Sequence, residues 1–422
     1  MKLVQKNFAA GALLFAIGAV VAAPAAQEPA GVLWLGTWAS SQQIPEPQNS
    51  LPVDDLRDAT MRQIVHLSVG GAMVRVRLSN AFGAQPLHFT AVHIARPVSL
   101  ASAQIDPASD RALTFSGKGD VTVPAGAEYL SDPLPFRVEA LASVTITFHL
   151  DAPPSGETSH PGSRATTFCL HGDFTGATDL PGAKQVEHWY QVSGVDVSGA
   201  GDSAAIVALG DSITDGHAAT TNGNDRWTDE LAERLQASAA TRDVSVLNEG
   251  TGGNHLLTDG LGPNALARFD RDVVTQAGVR YVIVLEGVND LGDLTRLGEV
   301  PAAAHEEMVQ RIIGAYQQMI ARAHGDKIVA IGGTILPYMG SSYYHPNDLN
   351  EADRQAVNAW IRAPGHFDAV IDFDKALCDP KDSTRMLAAY DSGDHLHPSP
   401  AGYRAMAEAI PLTLFTKREA RK

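Results

Sequence analysis

The stretch AAIVALGDSITDG, residues 204–216, joins a short apolar run to a polar turn. Residues 205–209 are continuously apolar, which is typical of a parallel strand that is buried on both faces. Ligands of parallel α/β sheets bind outside the carboxyl ends of the strands. Because Ser212 follows the end of this strand and glycines lie nearby, we expect its hydroxyl at the ligand-binding edge of the sheet. An ordinary Gly-Asp-Ser turn without a ligand is the alternative.

Two further predicted strands end in residues that suit the binding of a polar group. Residues 244–247 lead into NEGTGGN, residues 248–254, where three glycines permit close approach of the backbone. Residues 281–285 lead into EGVND, residues 286–290, where the Asn289 side chain offers an amide donor. Without a ligand, the first segment is a flexible turn and Asn289 or Asp290 caps a helix.

A candidate acid–base pair lies near the C-terminus, in the sequence DSGDHLHP of residues 391–398. A serine nucleophile needs a base to accept its proton and a carboxylate to orient that base. Asp394 and His397 are close enough in sequence to meet on one loop. Asp391 and His395 are the competing carboxylate and base, and a polar surface turn before a helix is the alternative without catalysis.

Strands alternate with helices through the C-terminal half, which indicates a parallel sheet covered on both faces. Beyond the three strands above, residues 328–335 and 369–373 are strand candidates. Helices are predicted at residues 301–324, near residues 352–361, and after Pro400.

These four polar segments together resemble the SGNH hydrolase superfamily, also called GDSL-type esterases. That family has blocks named for Ser, Gly, Asn and His, and they occur here in order at residues 210–213, 250–254, 287–290 and 394–398. Ile213 stands where Leu is usual, and Thr251 is more polar than the usual residue. The resemblance covers residues from 204 onward and implies a three-layer α/β/α, flavodoxin-like parallel sheet.

The resemblance also implies roles for single residues. Ser212 is expected to be the nucleophile, His397 the general base and then acid, and Asp394 the carboxylate that orients His397. The implied oxyanion hole consists of the Ser212 N–H, the Gly253 N–H and the Asn289 side chain, with Gly252 as the alternative to Gly253. Asp211 and Asn254, which neighbour these donors in sequence, are further candidates for substrate binding.

A tyrosine-rich loop, residues 337–345, follows the fourth strand and is expected at the same edge of the sheet. Exposed tyrosines are suited to stacking on sugar or aryl groups, so Tyr338, Tyr343 and Tyr344 are predicted to bind substrate. The alternative is that they pack against the N-terminal part of the chain.

Residues 27–200 are predicted to form a β-sandwich or jelly-roll-like accessory domain, because many short strand candidates follow one another without helices. Gly70 and Gly71 form a hairpin-turn signal between two of them. Residues 196–202 are predicted to be the junction to a catalytic domain of residues 201–422. The strand candidates are residues 61–67, 72–78, 87–94, 112–115, 121–123, 143–150 and 186–192.

The first 25 residues have the pattern of a secretory signal peptide. Lys2 and Lys6 precede an apolar run at residues 8–21, and small residues follow around Ala23 and Ala25. A membrane anchor is the alternative, but this run is short for a span of about 20 residues. The pattern predicts a secreted or periplasmic protein without a stable membrane anchor after cleavage.

The formal net charge of −16 argues against binding nucleic acid or anionic membranes through general electrostatics. The two cysteines, Cys169 and Cys378, either form a disulfide in an exported protein or remain two separate thiols. Their spacing with histidines does not resemble a zinc site, and no metal or organic cofactor is implied.

The leading hypothesis is a serine carboxylic ester hydrolase that acts on short acyl esters. The LEGVND sequence of residues 285–290 and the N-terminal β region resemble a subgroup that includes xylan esterases, which suggests an acetylated polysaccharide or oligosaccharide as substrate. One alternative is a lipase, thioesterase or arylesterase with the same machinery. Another is a glycan-binding protein whose hydrolase domain is vestigial.

Overall fold

The computed structural model describes residues 31–416. The predicted signal peptide therefore lies outside the described residues. No helix within residues 31–416 has the length and apolar character that crossing a membrane requires.

The N-terminal region is built from antiparallel strands, as predicted. Five of them form one sheet in the order β1-β14-β3-β7, with β8 also paired to β3, and seven form a second sheet in the order β12-β11-β2-β9-β4-β5, with β6 paired to β4. The strands β10 and β13 form a separate small pair. The bounds are β1 Leu33–Ala39, β2 Ala59–His66, β3 Gly71–Ser79, β4 Leu87–Pro97, β5 Ile105–Ala112, β6 Val121–Val123, β7 Glu128–Leu130, β8 Leu134–Val138, β9 Ser143–Leu150, β10 Ser159–His160, β11 Thr167–His171, β12 Lys184–Val186, β13 Trp189–Tyr190 and β14 Val192–Gly199.

Two details of the predicted N-terminal strands are wrong. Of the predicted strand at residues 112–115, only Ala112 belongs to a strand, as the last residue of β5, and Phe115 makes an isolated bridge to Lys118. The segment expected as a junction, residues 196–202, begins inside β14, because Asp196 pairs with Gly36 and Arg75 in the middle of the first sheet. Glycine and serine are frequent in turns, but here long-range strand pairing outweighs that local preference.

The C-terminal region has a parallel sheet of five strands in the order β16-β15-β17-β18-β19. Every residue of β15 is buried, as its continuous apolar sequence predicted. A short antiparallel pair, β20 and β21, follows. The strand bounds are β15 Ala204–Gly210, β16 Val244–Gly250, β17 Val279–Leu285, β18 Val329–Gly333, β19 Ala369–Ile371, β20 Cys378–Asp379 and β21 Asp382–Met386.

Helices connect these parallel strands and pack in two groups. The second helix packs on the eighth, and the fifth packs on the sixth. The helix bounds are α1 Ser212–Asp215, α2 Trp227–Gln236, α3 Ala265–Phe269, α4 Val288–Arg296, α5 Ala302–Gly325, α6 Asp348–Arg362, α7 Phe373–Leu377 and α8 Pro400–Glu408. The overall α/β class with an antiparallel region in front is therefore confirmed.

The two regions share one continuous hydrophobic core. The backbone N–H of Gly36 in β1 donates to the carbonyl of Ala277 at 2.9 Å, just before β17. A Cβ at Gly36 would press on the Leu247 side chain of β16, so this glycine permits close packing of the two regions. Cys169 and Cys378 are both free thiols, and they lie in β11 and β20.

Glu157, beside β10, predicts a measurable dependence of stability on pH. Burial disfavours the charged carboxylate and raises its pKa from 4.5 to about 7. The Leu51 N–H donates to one carboxylate oxygen at 3.2 Å and offsets only part of this effect, while the other oxygen has no partner within residues 31–416. Between those pH values the folded chain holds more protons than the unfolded chain, so the free energy of unfolding falls as pH rises.

Glu157→Gln removes this ionisation penalty. We expect the variant to be more stable than the wild type at pH 8 by about 1–2 kcal/mol, allowing for partial solvent screening, with the difference vanishing near pH 4. Urea unfolding of both proteins at pH 8 and pH 4 measures this difference in the free energy of unfolding. The exposed Glu139 provides the control variant, Glu139→Gln, which should change neither value. A constant difference at both pH values would contradict the explanation.

Candidate active site

The site lies where strand order reverses in the parallel sheet. The central strand β15 pairs with β16 on one side and β17 on the other, so the loops after these three strands meet at their carboxyl ends. Such a reversal is where open α/β sheets bind ligands. The predicted serine, glycine and asparagine segments follow these three strands.

Ser212 begins α1, a single helical turn directly after β15. Asp211 caps that turn by accepting the Ile213 N–H at 2.9 Å, and Gly216 ends it with φ of 99°. A Cβ on Gly250 would collide with the backbone of Asp215, so glycine at the end of β16 allows this tight turn to pack there. The local sequence thus places the serine hydroxyl at the sheet edge.

The predicted acid–base pair reaches this serine. Ser212 Oγ lies 2.8 Å from His397 Nε2, and His397 Nδ1 lies 2.6 Å from Asp394 Oδ2. The other carboxylate oxygen accepts the N–H groups of Leu396 and His397 at 2.9 and 2.8 Å. Burial disfavours the charged form of Asp394, but its hydrogen bonds with His397 and the backbone outweigh burial and hold its pKa well below the usual value. The carboxylate can therefore stabilise a protonated His397.

The competing pair is formed as well, but the contact of Ser212 is with His397. His395 Nδ1 lies 2.6 Å from Asp391 Oδ2, and His395 is an exposed residue with φ of 60°. Asp391 also accepts the Gly393 N–H at 2.8 Å, which closes the loop. Of the two histidines, His397 is the one in contact with Ser212.

Asn289 lies at the start of α4 and contacts the glycine loop. Its Nδ2 donates to the carbonyl of Asn254 at 2.6 Å, which occupies one of the two amide hydrogens. Its Oδ1 accepts the Tyr344 hydroxyl at 2.5 Å, so the orientation of the amide is fixed. Within the described chain the Gly253 N–H has no acceptor, and Gly253 adopts φ of 64°. Both groups remain candidate oxyanion donors.

Asp211 and Asn254 are not placed to contact substrate. They are only 1% and 0% exposed. Asn254 uses its side chain inward, donating to the Pro263 carbonyl and accepting from Arg268 Nε. Burial raises the pKa of Asp211, which acts as the cap of α1 instead. The predicted substrate-binding role of these two residues is wrong because both side chains satisfy internal hydrogen bonds.

The tyrosine loop also differs from its prediction. Tyr338 and Tyr344 are 2% and 3% exposed, so they offer no face for stacking on a sugar. Tyr344 instead holds Asn289, as described above. Tyr343 is exposed, and the Arg296 guanidinium lies 4.1 Å above its ring. A direct role in binding stays open for Tyr343 alone.

Arg268 connects the ends of two strands and the glycine loop through hydrogen bonds. It is buried in α3 and donates to the carbonyls of Gly210 and Glu249 at 3.0 and 2.7 Å, as well as to Asn254. Its charge is balanced by Asp272 at 2.9 Å. One guanidinium thus ties the ends of β15 and β16 to the glycine loop.

The N-terminal region forms one wall of the cleft that contains Ser212, and no motif of the sequence indicated this. The cleft is lined from the hydrolase side by Ser212, Asp215, His217, Gly252 and Leu261, and from the N-terminal side by Gln43, Glu46, Asn49, Pro161, Gly162 and Arg164. These N-terminal residues come from loops whose position depends on long-range packing. His217 alone could have been suspected, since it lies on the same turn as Ser212.

A buried pair of side chains fastens this wall to the serine turn. His160 Nδ1 donates to the Ser41 carbonyl at 2.7 Å, since a carbonyl can only accept. Its Nε2 lies 2.9 Å from Asp215 Oδ1. Both side chains are almost fully buried, so the contact fixes the N-terminal loops against the turn that carries Ser212.

His217 lies against His397. The ring centroids of His217 and His397 are 4.0 Å apart, and Arg164 donates to His217 Nδ1 at 3.1 Å. Burial, with the nearby charges of His397 and Arg164, lowers the pKa of His217 to about 4. His217 is therefore neutral near pH 7.

His217, Asp394 and His397 also form a group whose ligand atoms lie within 4.8 Å of one another. Both nitrogens of His397 already face Ser212 and Asp394. A metal ion here would have to break the serine–histidine–aspartate contacts, so the arrangement suits acid–base chemistry better than metal binding.

Comparison with known families agrees with this geometry. Residues 206–410 match the GDSL-like lipase/acylhydrolase family. The C-terminal half of the chain is a GDSL-like lipase/acylhydrolase domain. The matched range contains Ser212, Gly253, Asn289, Asp394 and His397, and the match supports a hydrolase. The N-terminal antiparallel region lies outside the matched residues.

Solved structures of similar proteins each cover about half of this chain. They include a lipolytic protein of the G-D-S-L family from Desulfitobacterium hafniense, with 23% identity over 49% of this chain and 97% of that chain and a TM-score of 0.35. A GDSL-like lipase from Bacteroides thetaiotaomicron has 19% identity over 50% and 87%, with a TM-score of 0.36. A catalytic mutant of Axe2, an acetylxylan esterase from Geobacillus stearothermophilus, has 19% identity over 50% and 93%, with a TM-score of 0.37. No curated protein sequence matches.

Proposed function

We propose that this protein is a serine carboxylic ester hydrolase that works through an acyl-enzyme on short-chain acyl esters. The observation that carries the proposal is the continuous contact from Ser212 Oγ through His397 to Asp394, at 2.8 and 2.6 Å. A hydroxyl is a weak nucleophile at neutral pH unless an adjacent base removes its proton. This chain supplies that base already in contact with the hydroxyl.

The chemistry follows from these contacts. Ser212 Oγ attacks the ester carbonyl carbon while His397 Nε2 takes the hydroxyl proton, and Asp394 stabilises the resulting imidazolium. The tetrahedral oxyanion accepts hydrogen bonds from the Ser212 N–H, the Gly253 N–H and Asn289 Nδ2. His397 then protonates the leaving alcohol. A water molecule, deprotonated by His397, releases the acyl group as a carboxylic acid and restores the serine.

Asn289→Ala tests the oxyanion hole. We expect kcat for p-nitrophenyl acetate to fall by about 10²–10³-fold, since removing one such donor typically costs that much. KM should change little, because the lost bond is made mainly in the transition state. Near-UV circular dichroism checks that the fold is intact. Turnover within threefold of the wild type would show that Asn289 is not a donor to the oxyanion.

The cleft favours small acyl groups over long chains. Its N-terminal wall is mostly polar, and the apolar side chains of the lining are Pro161 on that wall and Leu261 on the hydrolase side. Each buried CH₂ of a fatty acyl chain gains about 0.8 kcal/mol only where apolar surface receives it. A series of p-nitrophenyl acetate, butyrate and octanoate separates an acetylesterase from a lipase: kcat/KM rising with chain length would favour the lipase alternative.

Acetylated glycan remains our proposed substrate class, supported by the resemblance of residues 285–290 to the xylan-esterase subgroup. A glycan-binding protein with an inactive hydrolase domain is the competing proposal. It would bind acetylated oligosaccharide without releasing acetate. We also propose export, directed by residues 1–25, to the periplasm or the medium. N-terminal sequencing of the mature protein tests the cleavage.

A further inference from the structure

Arg164 is a cationic side chain in the catalytic cleft that lacks a carboxylate partner. It lines the same cleft as Ser212. Within residues 31–416 no carboxylate oxygen lies within 4.0 Å of its guanidinium. Among those residues its guanidinium makes one hydrogen bond, from Nη2 to His217 Nδ1 at 3.1 Å, so other donors of the guanidinium lack an acceptor. A guanidinium has five donors in a rigid fork that matches oxyanions, so an unpaired one in a cleft is suited to bind an anionic group.

The backbone holds Arg164 in place. Its φ is 46°, which is uncommon for a residue other than glycine, asparagine or aspartate. The carbonyl of Arg164 accepts the Asn222 N–H at 2.8 Å, and the preceding residue, Ser163, is fully buried with its carbonyl bound by Arg226. Strained backbone that the surroundings enforce is concentrated at functional sites. The long side chain therefore starts from a fixed point on the cleft wall.

Neighbouring charges leave the cation available. Asp215 is engaged by His160 at 2.9 Å, and Glu46 accepts a hydrogen bond from Asn49 at 2.8 Å. His217 receives a hydrogen bond from Arg164 on Nδ1, which requires that nitrogen to carry no proton. Among the described residues that line the cleft, Arg164 is also the one Arg or Lys side chain.

The position of Arg164 decides which half of an ester it can meet. In the proposed mechanism His397 Nε2 protonates the leaving alcohol, so the alcohol half leaves on the His397 side. The His217 ring lies against the His397 ring, and Arg164 lies next to His217. We infer that Arg164 binds a carboxylate on the alcohol half of the substrate. The preferred substrates are then acyl esters of hydroxy acids, including O-acetylated sugar acids.

This inference rests on the proposed function, and a matched pair of acetates tests it. The anionic probe is 4-acetoxybenzoate and the neutral probe is 4-acetoxybenzamide. A hydrogen bond to a charged group is worth about 1.5–3 kcal/mol, or roughly 10–150-fold at 1.36 kcal/mol per tenfold. We expect Arg164→Gln to lower the ratio of kcat/KM for the anionic over the neutral probe by that factor, and Arg164→Lys by less.

Control variants and probes separate recognition of the anion from a structural role. Arg111→Gln, at an exposed arginine of β5, should leave the ratio unchanged. A negative charge on the acyl half, in mono-4-nitrophenyl succinate compared with 4-nitrophenyl butyrate, should give a ratio that Arg164→Gln does not alter. Equal loss on the anionic and neutral acetates would overturn the inference and make Arg164 a positioning residue for His217.

A binding measurement keeps this inference distinct from the esterase proposal. Calorimetric titration with 4-hydroxybenzoate, the anionic product, needs no catalysis. Weaker binding to Arg164→Gln than to the wild type supports the site, even if the wild type hydrolyses neither acetate and the esterase proposal fails. Equal binding to both proteins would overturn the site whatever the activity.

Discussion

Ser212→Ala is expected to abolish hydrolysis of p-nitrophenyl acetate, with kcat/KM lower by about 10⁴–10⁶-fold. The alanine lacks the oxygen that attacks the carbonyl, and His397 then has no hydroxyl proton to accept. In serine hydrolases, loss of the nucleophile alone costs about as much as loss of the whole triad, because the members act as one unit. Residual activity would come from oxyanion donors acting on a water molecule.

The fold should survive this change, which makes the measurement clear. Ser212 is 9% exposed and its Oγ is bonded to His397, so the substitution removes one small polar group at the cleft surface. The matched control is Ser50→Ala, at an exposed serine of the N-terminal region. Intact-mass analysis during turnover should show an acetyl adduct on the wild type and none on Ser212→Ala. Equal turnover by both proteins would rule out Ser212 as the nucleophile.

The positions of Ser212, Gly253 and Asn289 could be predicted because each follows a strand that its own sequence indicates. Apolar runs identify β15, β16 and β17, and parallel strands bring their carboxyl ends together whatever the rest of the chain does. The pairing of Asp394 with His397 needs only three residues of loop. The sequence also offered the competing pair of Asp391 and His395, and only the structure shows that His397 is the histidine in contact with Ser212.

The cleft wall could not be predicted in the same way. Arg164 and Ser212 are brought together by the packing of two regions, and no periodicity or motif connects them. The predicted stacking role of the tyrosines was wrong for a related reason. A tyrosine after a strand can either expose its ring for stacking or bury it and hydrogen-bond its hydroxyl, and which occurs depends on whether the interior offers a hydrogen-bond partner. For Tyr344 the partner is Asn289 Oδ1.

His397→Ala is expected to lower kcat/KM for p-nitrophenyl acetate by about 10⁴–10⁶-fold, while His395→Ala retains activity within about threefold. The two histidines are two residues apart, each is bonded to an aspartate at 2.6 Å, and both variants lose the same side chain. The difference between them is contact with the nucleophile, since His397 Nε2 lies 2.8 Å from Ser212 Oγ.

The two aspartates extend the comparison to the carboxylate. Asp394→Asn should lower kcat by about 10⁴-fold, because an amide in that position stabilises the wrong tautomer of the catalytic histidine. Asp391→Asn should leave kcat within a few-fold, since Asp391 orients only His395 and the loop. If His395→Ala and Asp391→Asn were the inactive variants, His395 would have to replace His397 beside Ser212 during catalysis. That result would overturn the assignment of His397 as base, whereas Ser212 could still be the nucleophile.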